Sequence, residues 1–132
     1  MLIRQQRKVI EKMDDLINSF SLYNKKQMDQ AYQDLLTTID QAIDTVSRMK
    51  GFDGSTEFRD RTLELLKLYK DVTENEFHTV LNLLSKKDYS NNDAKIVSET
   101  MLQARNRLSK ANKEFEQYQQ QFAKKYNLRL VE

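Results

Sequence analysis

Apolar residues recur at helical spacing along almost the whole chain. Steps of three and four residues place such side chains on one face of an α-helix. The first two stripes consist of Ile3, Ile10, Met13, Ile17 and Phe20, and then of Met28, Tyr32, Leu35, Ile39, Ala42, Val46 and Met49. We therefore predict two amphipathic helices in the N-terminal part of the chain.

The boundary between these two helices is predicted at Ser21 to Asn24. Asn24 followed by Gln27 resembles a capping box, in which the asparagine accepts a hydrogen bond from a first-turn amide and the glutamine reaches back. The helical period nevertheless stays in phase from Ile10 to Met49, across this boundary. One continuous N-terminal helix, and with it a three-helix bundle, is therefore the alternative.

The third helix is predicted to follow a glycine-containing turn. Gly51 and Gly54 are the two glycines of the chain, and Ser55 after them is suited to cap the next helix. The apolar positions of that helix are Phe58, Leu65, Leu66, Tyr69, Val72, Phe77, Val80, Leu81 and Leu84. We expect it to end near Lys86 and Lys87, where cations suit the negative end of the helix dipole, and we expect a turn at residues 88–93.

The fourth helix has the most regular pattern. Its apolar positions are Val97, Met101, Ala104, Leu108, Ala111, Phe115, Tyr118 and Phe122. Alternating steps of four and three residues form an a/d seam, the pattern of helices that pack side by side. We expect this helix to end near Asn127, with Leu128 and Leu130 covering the end of the bundle. Four helices joined by short loops predict an all-α fold, an up-down-up-down four-helix bundle that forms one domain over residues 1–132.

The composition supports a helical protein and excludes several classes. Average usage would give about nine Gly and seven Pro, but the chain holds two Gly and no Pro, which argues against a β-sandwich or barrel. Cysteine is absent, so the sequence offers no disulfide, thiolate nucleophile or cysteine zinc site. The 22 basic and 20 acidic residues nearly balance, and no apolar run approaches the roughly 20 residues of a membrane span. These features predict a folded, charge-balanced domain.

A metal site of the kind that helical bundles carry is not predicted. The di-iron signature needs a glutamate three residues before each of two histidines. His78 is the single histidine, and Asn75 stands three residues before it. We therefore interpret His78 as a surface or partly buried imidazole, and we expect no metal and no other cofactor.

Two pairs of carboxylates lie one helical turn apart: Asp40 with Asp44, and Asp60 with Glu64. Such pairs bind Ca²⁺ or act in acid–base catalysis in some proteins. Both lie on polar faces among opposite charges, as Asp44 with Arg48 and Glu57 with Arg61 show. No serine has the flanking glycines of a nucleophile elbow, and the sequence has no Gly-rich loop of the kind that binds phosphate. We therefore predict a protein that is not an enzyme and has no catalytic, cofactor-binding or metal-ligating residue.

Basic and aromatic residues are also assigned structural roles. Lysine and arginine gather at Lys86 and Lys87, at residues 124–129 and along residues 95–113. Glu99, Glu114 and Glu116 lie among or directly after the last group, and Lys110 with Glu114 has the spacing of an i,i+4 ion pair. We expect no nucleic-acid partner. The aromatic residues assigned to the core are Tyr32, Tyr69, Phe115, Tyr118 and Phe122. Buried tyrosine hydroxyls need hydrogen-bond partners, which could create one semi-polar groove.

Three stretches of the chain carry a family resemblance. They are Lys26 to Ile43, with Met28, Ala31-Tyr32, Leu35 and Ile39-Asp40; the turn Gly51, Phe52 and Gly54, joined to Phe58-Arg59 and to Leu65 to Lys70; and the tail Gln121 to Leu128. These stretches resemble a family of small helical surface lipoproteins of the bacterial envelope, uncharacterised in function and found in Bacteroidetes and spirochaete genomes. All three are packing motifs, so the family supplies no catalytic residue.

The resemblance implies a non-enzymatic bundle that acts through surface contacts with an unknown protein or envelope partner. Family members carry a signal peptide and a lipid-modified cysteine before the bundle, and this sequence contains neither. The resemblance therefore implies a lipid-anchored protein of the periplasm or cell surface, with a lipidated segment that precedes Met1. The alternative is a cytoplasmic helical adaptor or protein-interaction domain, with a dimer through the long seam of the fourth helix as one form.

Overall fold

The computed structural model describes residues 2–51 and 55–126, without the side chains of residues 2 and 3. In this part of the chain it forms an all-α bundle of four helices. They are α1 (Leu2–Ser19), α2 (Lys25–Ser47), α3, and α4 (Asn91–Lys125). We use α3 for the continuous run of Glu57–Val72, a π-helical turn at Thr73–Phe77, and His78–Leu84. The sequence predictions for Ile3, Phe52, Gly54, Asn127, Leu128 and Leu130 lie outside the described residues or side chains.

Contacts between the helices show that the chain runs up and down. The interhelical pairs are Asp40–Lys70 and Tyr32–His78 between α2 and α3, and Phe58–Phe122 and Glu76–Arg107 between α3 and α4. In both sets the residue number rises along one helix as it falls along the other, so these helices are antiparallel. Gln6 of α1 contacts Tyr69 of α3, and Phe20, just after the end of α1, contacts Phe77 of α3. The residue numbers rise together along the two helices, so α1 and α3 run in the same direction. The predicted up-down-up-down four-helix bundle is confirmed.

The turn between α1 and α2 shows that the three-helix alternative is wrong. A short 3₁₀ turn, Phe20–Leu22, follows α1, and Tyr23 then adopts a left-handed backbone conformation with φ of 52°. This conformation breaks the helix because it reverses the sign of φ. As predicted, the Asn24 side chain caps α2, since its Oδ1 accepts from the Gln27 backbone N–H at 3.1 Å.

The core-facing stripe of α1 differs from the predicted one. Val9 and Leu16 have no exposed surface, whereas the predicted core residues Ile10 and Ile17 are half-buried. The reason is that an apolar residue precedes each predicted one, and such adjacent pairs broaden the stripe without fixing its centre. Met13 and Phe20 are buried, as predicted.

The loop before α3 is shaped by a close backbone approach at Gly51. A Cβ at this position would lie 2.1 Å from the backbone oxygen of Ser55, so only glycine fits. The Ser55 hydroxyl accepts from the Glu57 backbone N–H at 3.2 Å, although the N-cap residue of α3 is Thr56. The structure therefore explains why glycine is needed at position 51, and it confirms that Ser55 contributes to the cap of α3.

The turn between α3 and α4 covers residues 85–90, three residues earlier than the predicted turn at residues 88–93. Helix α3 ends at Leu84 rather than near Lys86, and the first residues of α4 are taken from the predicted turn. Ser90 and Asp93 explain the early start, because they form a capping box: the Asp93 N–H donates to Ser90 Oγ at 3.1 Å, and the Ser90 N–H donates to the Asp93 carboxylate at 3.0 Å. These hydrogen bonds, with that from Lys86, lower the pKa of Asp93.

Helix α4 packs along α3 through its predicted seam, but the seam is unevenly buried. Ala104, Phe115 and Phe122 are buried. The remaining seam positions, Val97, Met101, Leu108, Ala111 and Tyr118, are half-buried. A helix that packs chiefly against one neighbour keeps the flanks of its apolar stripe near solvent, and α4 has this arrangement.

Candidate functional site

Two turns meet at one end of the bundle. Leu22 and Tyr23 belong to the turn between α1 and α2, and they are 60% and 66% exposed. Tyr89 belongs to the turn between α3 and α4, and its ring centroid lies 6.5 Å from that of Tyr23. We call Leu22, Tyr23 and Tyr89 the apolar tip. It presents two large apolar side chains to solvent, and the other exposed large apolar side chains of the described residues, Ile96 and Leu102, both lie on α4.

The backbone at the apolar tip is strained. Tyr23 is the one residue other than glycine with positive φ in the described part of the chain. The left-handed conformation suits glycine or asparagine, and it costs about 1–2 kcal/mol for an ordinary L residue. The sequence therefore holds a bulky aromatic residue where a small one would fit with less strain, and backbone strain of this kind is often found at functional sites.

Four lysines surround the apolar tip in the sequence. Lys25 forms an ion pair with Asp29 at 2.7 Å, and Lys86 forms one with Asp93 at 3.1 Å. Lys26 and Lys87 are exposed, and neither forms an ion pair with a described residue. The exposed Asp88 directly precedes Tyr89, so the four lysines against Asp29, Asp88 and Asp93 give the rim of the tip a net charge of +1. Burial, together with the neighbouring Tyr23 and the Asp93 carboxylate, raises the pKa of Tyr89, which keeps its hydroxyl neutral.

A second polar region lies inside the bundle, at the π-helical turn of α3. Glu76 is 5% exposed, and its carboxylate accepts two hydrogen bonds from Arg107 Nη1 of α4, at 2.7 and 2.8 Å. Arg107 Nη2 donates to Asp71 at 2.5 Å. These bonds raise the pKa of the Arg107 guanidinium, whose charge is therefore permanent. The contacts hold α4 in one register against α3.

Tyr69 forms the other polar link between the helices. Its ring has no exposed surface, its hydroxyl donates to Asn112 Oδ1 of α4, and Gln6 Nε2 of α1 donates to that hydroxyl at 3.3 Å. Burial raises the pKa of Tyr69 to about 12. The phenol therefore stays neutral and links three helices near the middle of the bundle.

The candidate residues from the sequence are dispersed and have structural roles. His78 is exposed, with its ring 5.3 Å from Tyr32, in agreement with the prediction of a surface imidazole. Asp40 pairs with Lys70 at 2.9 Å, and Asp44 pairs with Arg48 at 3.2 Å, as predicted for the latter. Within the described residues there is no group of three or more His, Cys, Asp or Glu side chains placed to hold a metal ion.

Two predicted ion pairs are not formed. Arg61 lies over the ring of Tyr118, with its guanidinium carbon 4.9 Å from the ring centroid, and does not pair with Glu57. The predicted pair of Lys110 with Glu114 is also absent from the ion pairs between described residues. The ring offers Arg61 a cation–π contact that a flexible, solvated pair does not match. Exposed i,i+4 spacing alone therefore does not determine which charges pair.

Sequence reasoning missed the apolar tip and the pair of Glu76 with Arg107. The signal for the tip was present, because Leu22 and Tyr23 are apolar residues inside a predicted helix break. No comparable local signal marks Glu76 or Arg107, which are 31 residues apart.

No protein-family model matches the chain, and no curated protein or solved structure shows significant similarity to it. Within the described part of the chain, no helix combines the length and apolar character needed to cross a bilayer.

Proposed function

We propose that the protein is a non-enzymatic helical bundle that acts through surface contacts, and that the apolar tip is its binding surface. The observation that carries this proposal is the exposure of Leu22 and Tyr23 in a strained turn. Large exposed apolar side chains are costly in water, and together with a strained backbone they are typical of interaction sites. Tyrosine is also enriched among the residues that dominate binding energies at interfaces.

The chemistry of the tip indicates the kind of partner. Leu22 and Tyr23 would insert into an apolar pocket, and the Tyr89 hydroxyl is available as a hydrogen-bond donor beside them. Lys26 and Lys87 favour acidic groups around that pocket, since opposite charges at an interface rim speed association and select the partner. We therefore propose a partner protein with an apolar pocket and an acidic rim.

A crosslinking experiment tests this proposal. A photoreactive phenylalanine analogue at Tyr23 should form one major crosslinked product in the source cell, and the same group at exposed Leu102 of α4 is the matched control. Binding of the identified partner should be lost in Leu22→Ser and retained in Leu102→Ser. Equal crosslinking from both positions, or equal loss in both variants, would show that the tip is not the binding surface.

We also propose, on the family resemblance, that the protein belongs to the bacterial cell envelope. The start of α1 lies at the opposite end of the bundle from the tip, and an 18-residue helix is about 27 Å long. A lipid anchor before α1 would therefore hold the tip away from the membrane, where partners are accessible. The intact mass of the native protein in membrane and soluble fractions tests this placement. A lipidated, membrane-bound form supports it, whereas an unmodified soluble protein of 15.7 kDa favours the cytoplasmic adaptor.

The dimeric form of the adaptor alternative receives no support from the α4 seam. Ala104, Phe115 and Phe122 of that seam are buried in the bundle, with Phe115 and Phe122 against Phe58 of α3. A dimer through the same residues would require α4 to leave α3. Light scattering over a range of concentrations distinguishes the cases, because a bundle that uses its seam internally should remain a monomer unless another surface, such as the apolar tip, is self-complementary.

A further inference from the structure

Two phenol side chains meet at the apolar tip. The ring centroids of Tyr23 and Tyr89 lie 6.5 Å apart, with an angle of 59° between the ring planes, although the two residues belong to different turns. Burial raises the pKa of Tyr89, and the neighbouring Tyr23 raises it further, so the two phenols are close enough to interact electrostatically. The fold therefore brings two oxidisable rings together from distant parts of the chain.

Tyr23 is the most accessible of the six tyrosines of the chain. It is 66% exposed, whereas Tyr69 has no exposed surface and the hydroxyl of Tyr118 is buried. Tyr32 is half-buried, and its ring lies beside that of His78. An oxidising enzyme, which is too large to enter the bundle, therefore reaches Tyr23 most easily, and Tyr89 is the tyrosine whose ring lies next to it.

We propose that Tyr23 and Tyr89 are the site of an oxidative crosslink, a dityrosine bond that joins the turn between α1 and α2 to the turn between α3 and α4. The oxidant is hydrogen peroxide, acting through a haem peroxidase. The chain contains no cysteine, so a disulfide cannot supply such a link within it. The crosslink depends on the geometry of the apolar tip alone, so it forms whether or not the tip also binds a partner protein.

The reaction removes one electron and the hydroxyl proton from each phenol. The two phenoxyl radicals join through ring carbons ortho to their oxygens, and each of these carbons passes its hydrogen to the oxygen as the ring regains aromaticity. Hydrogen peroxide accepts the two electrons and the two protons and is reduced to two molecules of water. The rings must approach more closely than 6.5 Å to form the carbon–carbon bond, and the fast rotamer changes of exposed side chains, within nanoseconds, allow this approach.

Oxidation of the full chain, at low micromolar concentration, with hydrogen peroxide and a haem peroxidase tests the proposal. The monomer should lose the mass of two hydrogen atoms, and trypsin should release the peptides of residues 13–25 and 88–95 as one linked product. Tyr23→Phe keeps the ring but removes the phenol and should lose this product, whereas Tyr32→Phe, at a tyrosine beside His78, should retain it. Absence of the linked product, crosslinks mainly between two molecules, or equal dityrosine fluorescence in wild type and Tyr23→Phe would overturn the proposal.

A thermal unfolding measurement shows whether the bond forms in the folded protein. The link closes a loop that contains α2 and α3, which restricts the unfolded chain, so the Tm of the crosslinked monomer should rise by about 10 °C. Tyr23→Phe treated with the same reagents should keep the Tm of its untreated form, which controls for oxidation of other side chains such as methionine. An unchanged Tm in the crosslinked wild type would mean that the bond does not fit the native tip, and it would refute the site.

Discussion

The two sides of α3 are packed by different chemistry. On the side of α1 and α2 the contacts are mainly apolar, and Leu16, Met28, Leu35 and Ile39 have no exposed surface. The polar contacts on this side are the exposed ion pair of Lys70 with Asp40 and the hydrogen bond of Tyr69 with Gln6. On the side of α4 the seam is half-buried in places, and the helices are joined by polar pairs, above all Glu76 with Arg107. The first region is packed mainly by fully buried apolar side chains, whereas the second combines half-buried apolar positions with a buried ion pair.

The two sides of α3 therefore contribute differently: one mainly to stability and the other to the register of α4. Apolar burial stabilises a fold but does not select one register, because a leucine can pack against several neighbours. A displacement of α4 by one turn would leave the Glu76 carboxylate buried without a partner, which is strongly unfavourable. We infer that α1 and α2 supply most of the stability, and that the polar pairs fix where α4 lies on α3.

The largest expected effect comes from truncating a leucine in the apolar region. Leu35→Ala should lower the free energy of unfolding by about 4 kcal/mol, since it leaves a cavity at a fully buried position. Leu108→Ala, the matched change at a half-buried seam position, should cost about 1.5 kcal/mol. Urea unfolding at 25 °C measures both. Equal losses would show that the two sides of α3 are packed to the same degree.

The next largest effect is expected at the buried ion pair. Arg107→Met should cost about 3 kcal/mol, because it leaves the Glu76 carboxylate, whose side chain is 6% exposed, without its cation. Adding Glu76→Leu should restore most of the loss, since an apolar pair replaces a buried ionic one with little net change. Urea unfolding of the single and double variants measures this coupling. A double variant no more stable than Arg107→Met would contradict the interpretation.

The helices and their local caps are the part of the fold that sequence reasoning predicts best. Helical spacing located all four helices, and Asn24 was correctly assigned as a cap, because these features depend on residues within one or two turns. The π-helical turn at Thr73–Phe77 has no proline or glycine to mark it. Glu76 stands among polar neighbours in the sequence, and its burial depends on Arg107, far along the chain. Non-local polar pairs were therefore the part that periodicity could not predict.

The candidate sites, too, were predictable from the sequence only where they depend on neighbouring residues. Leu22 and Tyr23 were visible as apolar residues in a predicted break, but their exposure depends on where Tyr89 lies. Tyr118 was assigned to the core from its spacing, and a semi-polar groove around tyrosine hydroxyls was anticipated. The burial of its hydroxyl follows from the packing of two helices and not from spacing.

A smaller effect, dependent on pH, is expected at Tyr69. Tyr69→Phe should cost about 1 kcal/mol at pH 7, because Asn112 loses its hydrogen-bond donor. The pKa of Tyr69 is raised from 10.0 to about 12 in the folded protein, so its contribution is complete below pH 10 and declines as the pH rises from 10 toward 12. The stability advantage of the wild type over Tyr69→Phe should therefore shrink or reverse by pH 12, as measured by urea unfolding. A constant difference between wild type and Tyr69→Phe over this pH range would contradict the assignment.

The smallest effect is expected at the apolar tip, and it should have the opposite sign. Tyr23→Asn should raise the free energy of unfolding by about 0.5 kcal/mol, because asparagine tolerates the left-handed conformation that Tyr23 adopts with φ of 52°. The same change should weaken binding of the partner protein, since it removes the exposed ring. Leu22→Ser, a control with ordinary backbone geometry, should weaken binding with a stability change within about 0.5 kcal/mol. A loss of stability in Tyr23→Asn would mean that the contact between Tyr23 and Tyr89 holds the two turns together. A gain in stability combined with a loss of binding would show that the strained Tyr23 serves binding of the partner protein and not the stability of the fold.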